Sequence, residues 1–320
     1  MEVNRDEWSE NGAGMKKTLY ISDLDGTLLN KAAVLSEYTT NSLNALMAKG
    51  LNFSIATART LASIGNILDG LTLSSPMVLM NGVLIYDVCR KRYLTVDKLL
   101  PDAVDSVILA LREYEITGFM YEFDDGEIMT YHDSPAQSQP LPDFVQERID
   151  RYRNTYRHTD SYTTMSRSNI VYIVLHDTYE RLTPVYNAFA ALPGVNRAFY
   201  HNIYTPDMWY LEISNANASK QSAVAFLREN CGFERVIGFG DNLNDLPMFA
   251  ACDTRVAVAN AKEEVKVAAD YICGDNDNDG VVKWIENNYA HIPSPKQTAN
   301  PIYDKRGDPG ESRLIQYDKS

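Results

Sequence analysis

Five polar side chains, widely spaced along the chain, have the types needed to handle a phosphoryl group. Asp23 and Asp25 follow one short apolar run, Thr57 follows another, and Lys220 and Asp241 come much later. Carboxylate oxygens are ligands that Mg²⁺ favours, and a lysine supplies a compact positive charge for a phosphoryl oxygen or for an attacking carboxylate. With one carboxylate attacking phosphorus and a second protonating the leaving oxygen, this set predicts magnesium-assisted phosphoryl transfer through an aspartate.

The first acidic pair lies in the stretch 20–29, where an apolar run leads directly into two carboxylates, a glycine and a hydroxyl. Residues two apart share one face of an extended strand, so Asp23 and Asp25 are expected to project together from its carboxyl end. Gly26 would let the backbone turn sharply there. An Asx-rich turn after a strand, with no chemical role, is the alternative for this stretch alone.

The elements around these residues follow a β-α-β-α-β pattern. A helix is predicted from Ser36, ending with Gly50 at its C′ position, and is followed by an apolar strand at 51–56, a helix at 60–68 and a strand at 76–80. The same pattern returns after residue 214, where a helix at 220–230 leads into a strand at 235–239. This alternation predicts an α/β fold with a doubly wound, Rossmann-like parallel-sheet core, at whose carboxyl edge the polar residues meet.

Between these two parts the pattern changes to hairpins alternating with helices. The sequence Asp-Asp-Gly at 124–126 predicts a hairpin, a charged helix is predicted at 142–156, and 169–175 is a clear strand. We therefore predict a flexible leader at 1–16, a discontinuous catalytic core at 17–86 and 214–291, an inserted α+β cap at 87–213 that selects the substrate, and a polar tail at 292–320.

Composition limits the possible partners. The formal net charge is −13, so a general surface for nucleic acid or for an anionic membrane is not expected. The four cysteines have no CxxC spacing, and no apolar stretch is long enough to cross a membrane. We expect a cytoplasmic protein, monomeric or weakly homo-oligomeric, whose partner is a small phosphate ester.

Two motifs identify a family. The segment 23–28 resembles the DxDGT motif of the haloacid dehalogenase superfamily, and 240–248 resembles its GDxxND motif. Segments around Lys220 and at 270–281 are similar to the Cof-type branch, whose α/β cap is inserted in the same place. The resemblance covers roughly 18–288. One departure is Thr57-Ala58-Arg59, where the family often has Thr-Gly-Arg.

The resemblance implies a role for each residue. Asp23 would be the nucleophile, and Asp25 the general acid that later activates water. Mg²⁺ would be held by Asp23, the backbone carbonyl of Asp25, and Asp241. The remaining roles are phosphoryl binding for Thr57, Lys220 and Asn244, and a supporting role for Gly26 and Asp245.

Other patterns compete for a functional interpretation. The segment 275–286 matches an EF-hand calcium loop, including the final Glu286, but a strand is predicted where that loop needs a helix, so calcium binding is not expected. Many of the 20 tyrosines fall in 114–210, where strand propensity explains them better than a stacking surface does. Arg151, Arg153, Arg157 and His158 could form a basic lid over an anionic substrate, but they are interpreted as a solvated helix face.

The sequence as a whole predicts a Mg²⁺-dependent phosphatase acting on a sugar phosphate or a phosphorylated cofactor, such as pyridoxal phosphate or flavin mononucleotide. A phosphomutase of the same superfamily would use the same aspartyl phosphate and return the group to the substrate. A phospho-aspartate signalling switch would also place acids, a hydroxyl and a lysine at strand ends.

Overall fold

The computed structural model describes residues 17–132, 150, 155–201 and 208–289. Contacts group the described residues up to Thr95 and from Ser219 onward into one compact unit, and those from Val96 to Ala218 into a second. The change in sequence pattern at Asp87 does not coincide with this division. The strands at 84–87 and 92–96 form a three-stranded sheet with the strand at 77–79, so the chain before and after residues 88–91 belongs to one sheet.

The described chain contains strands in two groupings, some separated by helices and some joined directly to one another. The strands are β1 (Thr18–Ser22), β2 (Asn52–Ile55), β3 (Met77–Leu79), β4 (Leu84–Asp87), β5 (Arg92–Val96), β6 (Gly118–Asp124), β7 (Glu127–His132), β8 (Tyr156–His158), β9 (Ile170–Asp177), β10 (Val195–His201), β11 (Trp209–Asn215), β12 (Arg235–Gly240), β13 (Thr254–Ala257) and β14 (Tyr271–Ile272). The helices are α1 (Glu37–Met47), α2 (Leu61–Ile64), α3 (Pro101–Glu113), α4 (Tyr179–Ala188), α5 (Lys220–Cys231), α6 (Leu246–Ala251), α7 (Glu263–Ala268) and α8 (Gly280–Asn288).

The first unit is built on a parallel sheet in the order β14-β13-β12-β1-β2. Its central strands are apolar because both faces are covered, as parallel sheets require; Leu19, Ile21 and Phe239 are completely buried. β1 lies beside β12, with Ser22 opposite Phe239. Their carboxyl ends, and the loops that follow, therefore meet at one edge. The predicted α/β fold is confirmed.

The third predicted strand joins this sheet only weakly. β3 makes one parallel bridge, from Val78 to Ala56, and otherwise pairs antiparallel with β4. The first helix starts at Ser36 as predicted, where the Ser36 side chain accepts a hydrogen bond from the Thr39 amide. It ends earlier than expected, with Ala48 as the cap and Gly50 in a left-handed conformation beyond it.

The second unit is an α+β layer. Its six-stranded sheet has the order β10-β11-β9-β6-β7-β8, and all neighbours are antiparallel except β7 and β8. Apolar side chains of α3 and α4 pack with those of the sheet, including Val107, Leu182 and Ile173. The predicted hairpin is confirmed, with Asp125 and Gly126 both in left-handed conformations at its turn.

The charged helix predicted at 142–156 lies mostly outside the described residues. The predicted carboxyl end of this helix is wrong, because Tyr156, Arg157 and His158 form strand β8 beside β7. Arg157 and His158 therefore belong to a sheet edge and not to a helix face; Arg151 and Arg153 lie outside the described residues. Among the helices that the structure describes, none combines the length and the apolar character needed to cross a membrane.

Candidate active site

The predicted nucleophile lies where β1 ends. β1 stops at Ser22, but the Asp23 amide still donates a hydrogen bond to the Phe239 carbonyl, 3.0 Å away. The chain then turns tightly through 24–28, and the Leu29 amide closes this turn on the Leu24 carbonyl. The side chain of Asp23 is consequently fixed at the carboxyl edge of the sheet and almost fully buried.

Gly26 is required by this turn for two reasons. Its φ of +81° is a left-handed conformation that side chains disfavour. A Cβ at this position would also lie 2.6 Å from Asp241 Oδ2. The predicted supporting role of Gly26 therefore has a direct physical basis, since the turn passes against the Asp241 carboxylate.

Three carboxylates gather at this edge. Asp23, Asp241 and Asp245 each offer one oxygen, and the three oxygens lie within 4.8 Å of one another. Asp241 immediately follows β12, and Asp245 is on the next turn. The Thr27 hydroxyl donates a hydrogen bond to Asp241 Oδ1 over 2.6 Å. Thr27 was part of the recognised motif, but no role had been predicted for it.

Asp245 holds the loop that carries Asp241. Its side chain is completely buried, and its Oδ2 accepts hydrogen bonds from the backbone amides of Asp241 and Asn242, at 2.9 and 3.0 Å. Its Oδ1 accepts from Lys220 Nζ at 2.7 Å. The carboxylate is thus used on both sides, once to shape the loop and once to bind the lysine.

Lys220 lies between two carboxylates. It begins α5, where Ser219 and Ser222 form a capping box, and only 1% of its surface is exposed. Its Nζ donates to Asp23 Oδ1 at 2.5 Å and to Asp245 Oδ1 at 2.7 Å. A buried ammonium needs such partners, and the structure thus brings the lysine that was predicted from sequence into contact with Asp23.

The proton affinities of the cluster follow from burial and charge. Burial raises the pKa of Asp23, against the opposing effect of Lys220, and the neighbouring carboxylates of Asp245 and Asp241 raise it further. Burial likewise raises the pKa of Asp241 to about 6, although the Thr27 hydrogen bond opposes this. Burial disfavours the charged form of Lys220, but Asp23 and Asp245 outweigh it and raise the Lys220 pKa.

These residues fit a divalent cation. Three carboxylates and one ammonium leave two negative charges in a largely buried cluster, which a dication would neutralise. The donors are hard carboxylate oxygens, which suit Mg²⁺. The described part of the chain contains no other group of three acidic, histidine or cysteine side chains that is spaced to hold a metal ion.

Asp25 is placed differently from the sequence prediction. The strand does not continue to Asp25, because the chain turns through residues 24–28 directly after Asp23. The exposed carboxylate of Asp25 pairs with Arg59, whose Nε and Nη2 donate to Asp25 Oδ2 and Oδ1 at 2.7 and 2.6 Å. Arg59 was predicted only as part of a three-residue motif, and its pairing with Asp25 was missed.

Thr57 and Asn244 meet at a residue that the sequence analysis did not single out. Thr57 is buried after β2, and its carbonyl accepts a hydrogen bond from the Asn81 amide at 2.9 Å. Asn244 is exposed, and its Nδ2 donates to Asn81 Oδ1 at 3.3 Å. Asn81 therefore joins the two predicted phosphoryl-binding residues.

The EF-hand-like segment is not arranged around a common centre. Asp275 caps the turn that begins at Asn276, and Asp277 pairs with Lys31. Asp279 accepts hydrogen bonds from the hydroxyl groups of Ser36, which precedes α1, and Thr39, which lies in α1. Glu286 accepts a hydrogen bond from the hydroxyl group of Tyr38. The acidic side chains thus have separate partners, and β14 precedes the segment where an EF-hand needs a helix.

Proteins of known sequence and structure resemble this chain over most of its length. The pyridoxal phosphate phosphatase YbhA of Escherichia coli is 28% identical, over 84% of this chain and 97% of its own. The 5-amino-6-(5-phospho-D-ribitylamino)uracil phosphatase YitU of Bacillus subtilis is 26% identical, over 86% and 98%. A haloacid dehalogenase-like hydrolase from Bacteroides thetaiotaomicron superposes with a TM-score of 0.71 at 26% identity, over 85% of this chain and 99% of its own.

The resemblance predicted from the motifs is confirmed by these similarities. The expected enzyme class, a hydrolase of phosphoric monoesters, is confirmed at the level of the family and of relatives that are phosphatases. The profile of haloacid dehalogenase-like hydrolases matches residues 20–285. The chain therefore belongs to the haloacid dehalogenase-like hydrolase family.

Proposed function

We propose that this protein is a Mg²⁺-dependent phosphatase that hydrolyses a small phosphorylated metabolite through a phosphoryl group carried on Asp23. The observation that supports this most strongly is the buried cluster of Asp23, Lys220, Asp241 and Asp245. Such a cluster is costly for stability, because it places three carboxylates around one ammonium. Phosphoryl transfer gives that arrangement a use.

Asp23 is the nucleophile in this proposal. One Asp23 oxygen attacks phosphorus and forms a new P–O bond, while the bond from phosphorus to the leaving oxygen of the substrate breaks. Lys220 favours the ionised carboxylate that this attack requires. In the second step water attacks phosphorus, the bond to Asp23 breaks, and inorganic phosphate is released.

The metal would be held by the carboxylates of Asp23 and Asp241 and by the backbone carbonyl of Asp25. When bound, Mg²⁺ supplies positive charge to the phosphoryl oxygens and balances the cluster. Asp245 keeps the Asp241 loop in place by accepting hydrogen bonds from the backbone amides of Asp241 and Asn242. Thr57 and Asn244 are assigned to the phosphoryl oxygens.

Asp25 would carry the proton. It donates a proton to the leaving oxygen in the first step and accepts one from water in the second. Its carboxylate is half-exposed and paired with Arg59, so the proposal requires this ion pair to open when Asp25 turns toward the leaving oxygen.

The relatives guide the substrate class. One acts on pyridoxal phosphate and another on a ribitylaminouracil phosphate, and both substrates are small phosphate esters of a ring compound. We assign this chain a substrate of the same size, a sugar phosphate or a phosphorylated cofactor, selected by the predicted cap at 87–213. The cytoplasmic location and the oligomeric state stay predictions.

A panel of metabolite phosphates tests the proposal. Phosphate release should be measured with Mg²⁺, with EDTA, and with Asp23→Asn, and Asp253→Asn serves as a control because Asp253 pairs with Arg228 outside the cluster. We expect release only with Mg²⁺ and an intact Asp23. Equal release by Asp23→Asn would show that the mechanism is wrong.

A further inference from the structure

The turn formed by Met80, Asn81 and Gly82 has an unusual backbone. All three residues are left-handed, with φ values of +49°, +54° and +104°. Left-handed non-glycine residues are uncommon and cost conformational energy, and they cluster at functional sites. Packing of the buried, apolar Met80 side chain offsets part of this cost, whereas the Asn81 side chain is only partly buried and gains less from packing.

The turn is held by hydrogen bonds to the segment after β2. The Asn81 amide donates to the Thr57 carbonyl at 2.9 Å, and the Met80 amide donates to the Arg59 carbonyl at 3.1 Å. The Thr57 amide in turn donates to the Val78 carbonyl at 3.0 Å. The backbone position of Asn81 is therefore fixed directly against a proposed phosphoryl-binding residue.

The turn also contacts the start of α5. A Cβ on Gly82 would lie 2.2 Å from the Ser219 carbonyl oxygen and 3.0 Å from the Lys220 amide nitrogen. The backbone of the turn can approach Lys220 this closely only because residue 82 is glycine. Segments bearing Thr57, Arg59 and Lys220 thus converge on three consecutive residues that carry no proposed role.

From this convergence the structure assigns Asn81 as a positioning residue for phosphate binding, acting through Asn244. Asn81 Oδ1 accepts one hydrogen of the Asn244 amide nitrogen. That nitrogen carries two hydrogens, so the second is left for a phosphoryl oxygen, in an orientation that Asn81 fixes. This inference rests on the proposed function and adds to it a group that lies outside every segment on which the family resemblance was based.

The consequence is a coupling between two asparagines that can be measured. If Asn81 acts only by orienting Asn244, then removing its side chain has an effect when Asn244 is present and none when Asn244 is absent. A purely structural role in the turn would instead give effects that are independent and multiply.

Asn81→Gly is the suitable variant, because glycine keeps the left-handed backbone without strain and removes only the carboxamide. Lys91→Gly is the matched control, since Lys91 is also left-handed, with φ of +51°, in the exposed turn between β4 and β5. Calorimetry with inorganic phosphate in saturating Mg²⁺ gives the dissociation constant, and p-nitrophenyl phosphate gives KM and kcat.

We expect Asn81→Gly and Asn244→Ala each to weaken phosphate binding about three- to tenfold, as loss of one hydrogen bond predicts. KM should rise by a similar factor, with kcat changed less than about twofold. The double variant should bind phosphate as Asn244→Ala does, and Lys91→Gly as the parent does.

A second variant keeps the test independent of the glycine substitution. Asn81→Asp also tolerates the left-handed backbone and places a negative charge beside the proposed phosphoryl position. It should weaken phosphate binding more than Asn81→Gly does, and by a larger factor at low ionic strength.

Three results would overturn the inference: unchanged phosphate affinity in Asn81→Gly, independent effects in the double variant, or no phosphate binding by the parent. Failure of the proposed function would look different. The parent would still bind phosphate, and the effects of the Asn81 and Asn244 variants on that binding would still be coupled. Turnover, however, would be absent in the parent, or Asp23→Asn would turn over substrate as fast as the parent does.

Discussion

Replacing Asp241 by asparagine should stabilise the metal-free protein at neutral pH while removing the proposed metal site. Asp241 is partly buried beside Asp245, and its pKa is raised to about 6. A carboxamide has nearly the same shape, and its oxygen can still accept the hydrogen bond that Thr27 donates to Asp241 Oδ1. The substitution therefore removes a disfavoured charge and keeps the packing.

The size of the effect follows from the raised pKa. The ordinary pKa of an aspartate is about 3.9, so ionising Asp241 at pH 7 costs the folded state about 3 kcal/mol. A group whose pKa is raised on folding contributes stability that is fully present below its unfolded pKa and is lost as pH rises through its folded pKa. The loss therefore falls between about pH 4 and pH 6.

The assay is urea unfolding in EDTA at several values between pH 4 and pH 7.5. The free energy of unfolding of Asp241→Asn minus that of the parent should be near zero at pH 4, rise to about 3 kcal/mol by pH 6 to 7, and stay level above. Adding Mg²⁺ should stabilise the parent and leave the variant unchanged.

Asp270→Asn is a control with the opposite sign. Burial disfavours the ionised form of Asp270, but three hydrogen bonds from Arg255, one of them from its backbone amide, and the charge of its guanidinium outweigh burial and lower the Asp270 pKa. Its ionised form therefore contributes stability above the unfolded pKa that is lost at acid pH, so Asp270→Asn should be less stable than the parent at pH 7. If the Asp241→Asn difference did not change with pH, or had the sign of Asp270→Asn, the electrostatic reasoning would be refuted.

Three further predictions concern neighbouring residues. Lys220→Met leaves Asp23 and Asp245 buried without their cation, so urea unfolding should show a loss of about 3–5 kcal/mol at pH 7 that shrinks as the pH falls and the carboxylates become protonated. Gly26→Ala should weaken Mg²⁺ binding in calorimetry, because its Cβ meets Asp241, whereas Gly232→Ala, with a similar φ and open space around it, should cost about 1 kcal/mol of stability and leave Mg²⁺ affinity unchanged. Arg59→Ala removes an exposed ion pair, so unfolding should change by less than about 1 kcal/mol. Because the proposal requires this pair to open before Asp25 acts, kcat/KM for p-nitrophenyl phosphate should not fall, and a tenfold loss would show that Arg59 has a catalytic role of its own.

Much of the core site follows from simple sheet geometry. Parallel strands place their carboxyl ends at one edge, so Asp23 after β1 and Asp241 after β12 had to lie close together once the strands were recognised. Lys220 begins α5, which follows β11 of the antiparallel sheet and not a strand of the parallel sheet. Local pattern and topology were therefore sufficient for Asp23 and Asp241, whereas Lys220 was singled out by its residue type and by the family resemblance.

The missed features depend on tertiary contacts. Strand periodicity predicted that Asp25 would share a face with Asp23, but the chain turns directly after Asp23 and Asp25 pairs with Arg59. The left-handed turn at Asn81 has no hydrophobic periodicity from which it could be predicted, although Asn-Gly at 81–82 is a turn signal. β8 was assigned to a helix because its residues are charged, and only its pairing with β7 makes it a strand.

The central claim is that the phosphoryl group passes through Asp23, and acid quenching during turnover tests it most directly. The parent should be mixed with Mg²⁺ and p-nitrophenyl phosphate, quenched in acid within the first turnover, digested and examined by mass spectrometry. We predict one added phosphoryl group on the peptide containing Asp23, and none in Asp23→Asn. Phosphate release by the parent with no label on Asp23, or with the label on another residue, would contradict the account.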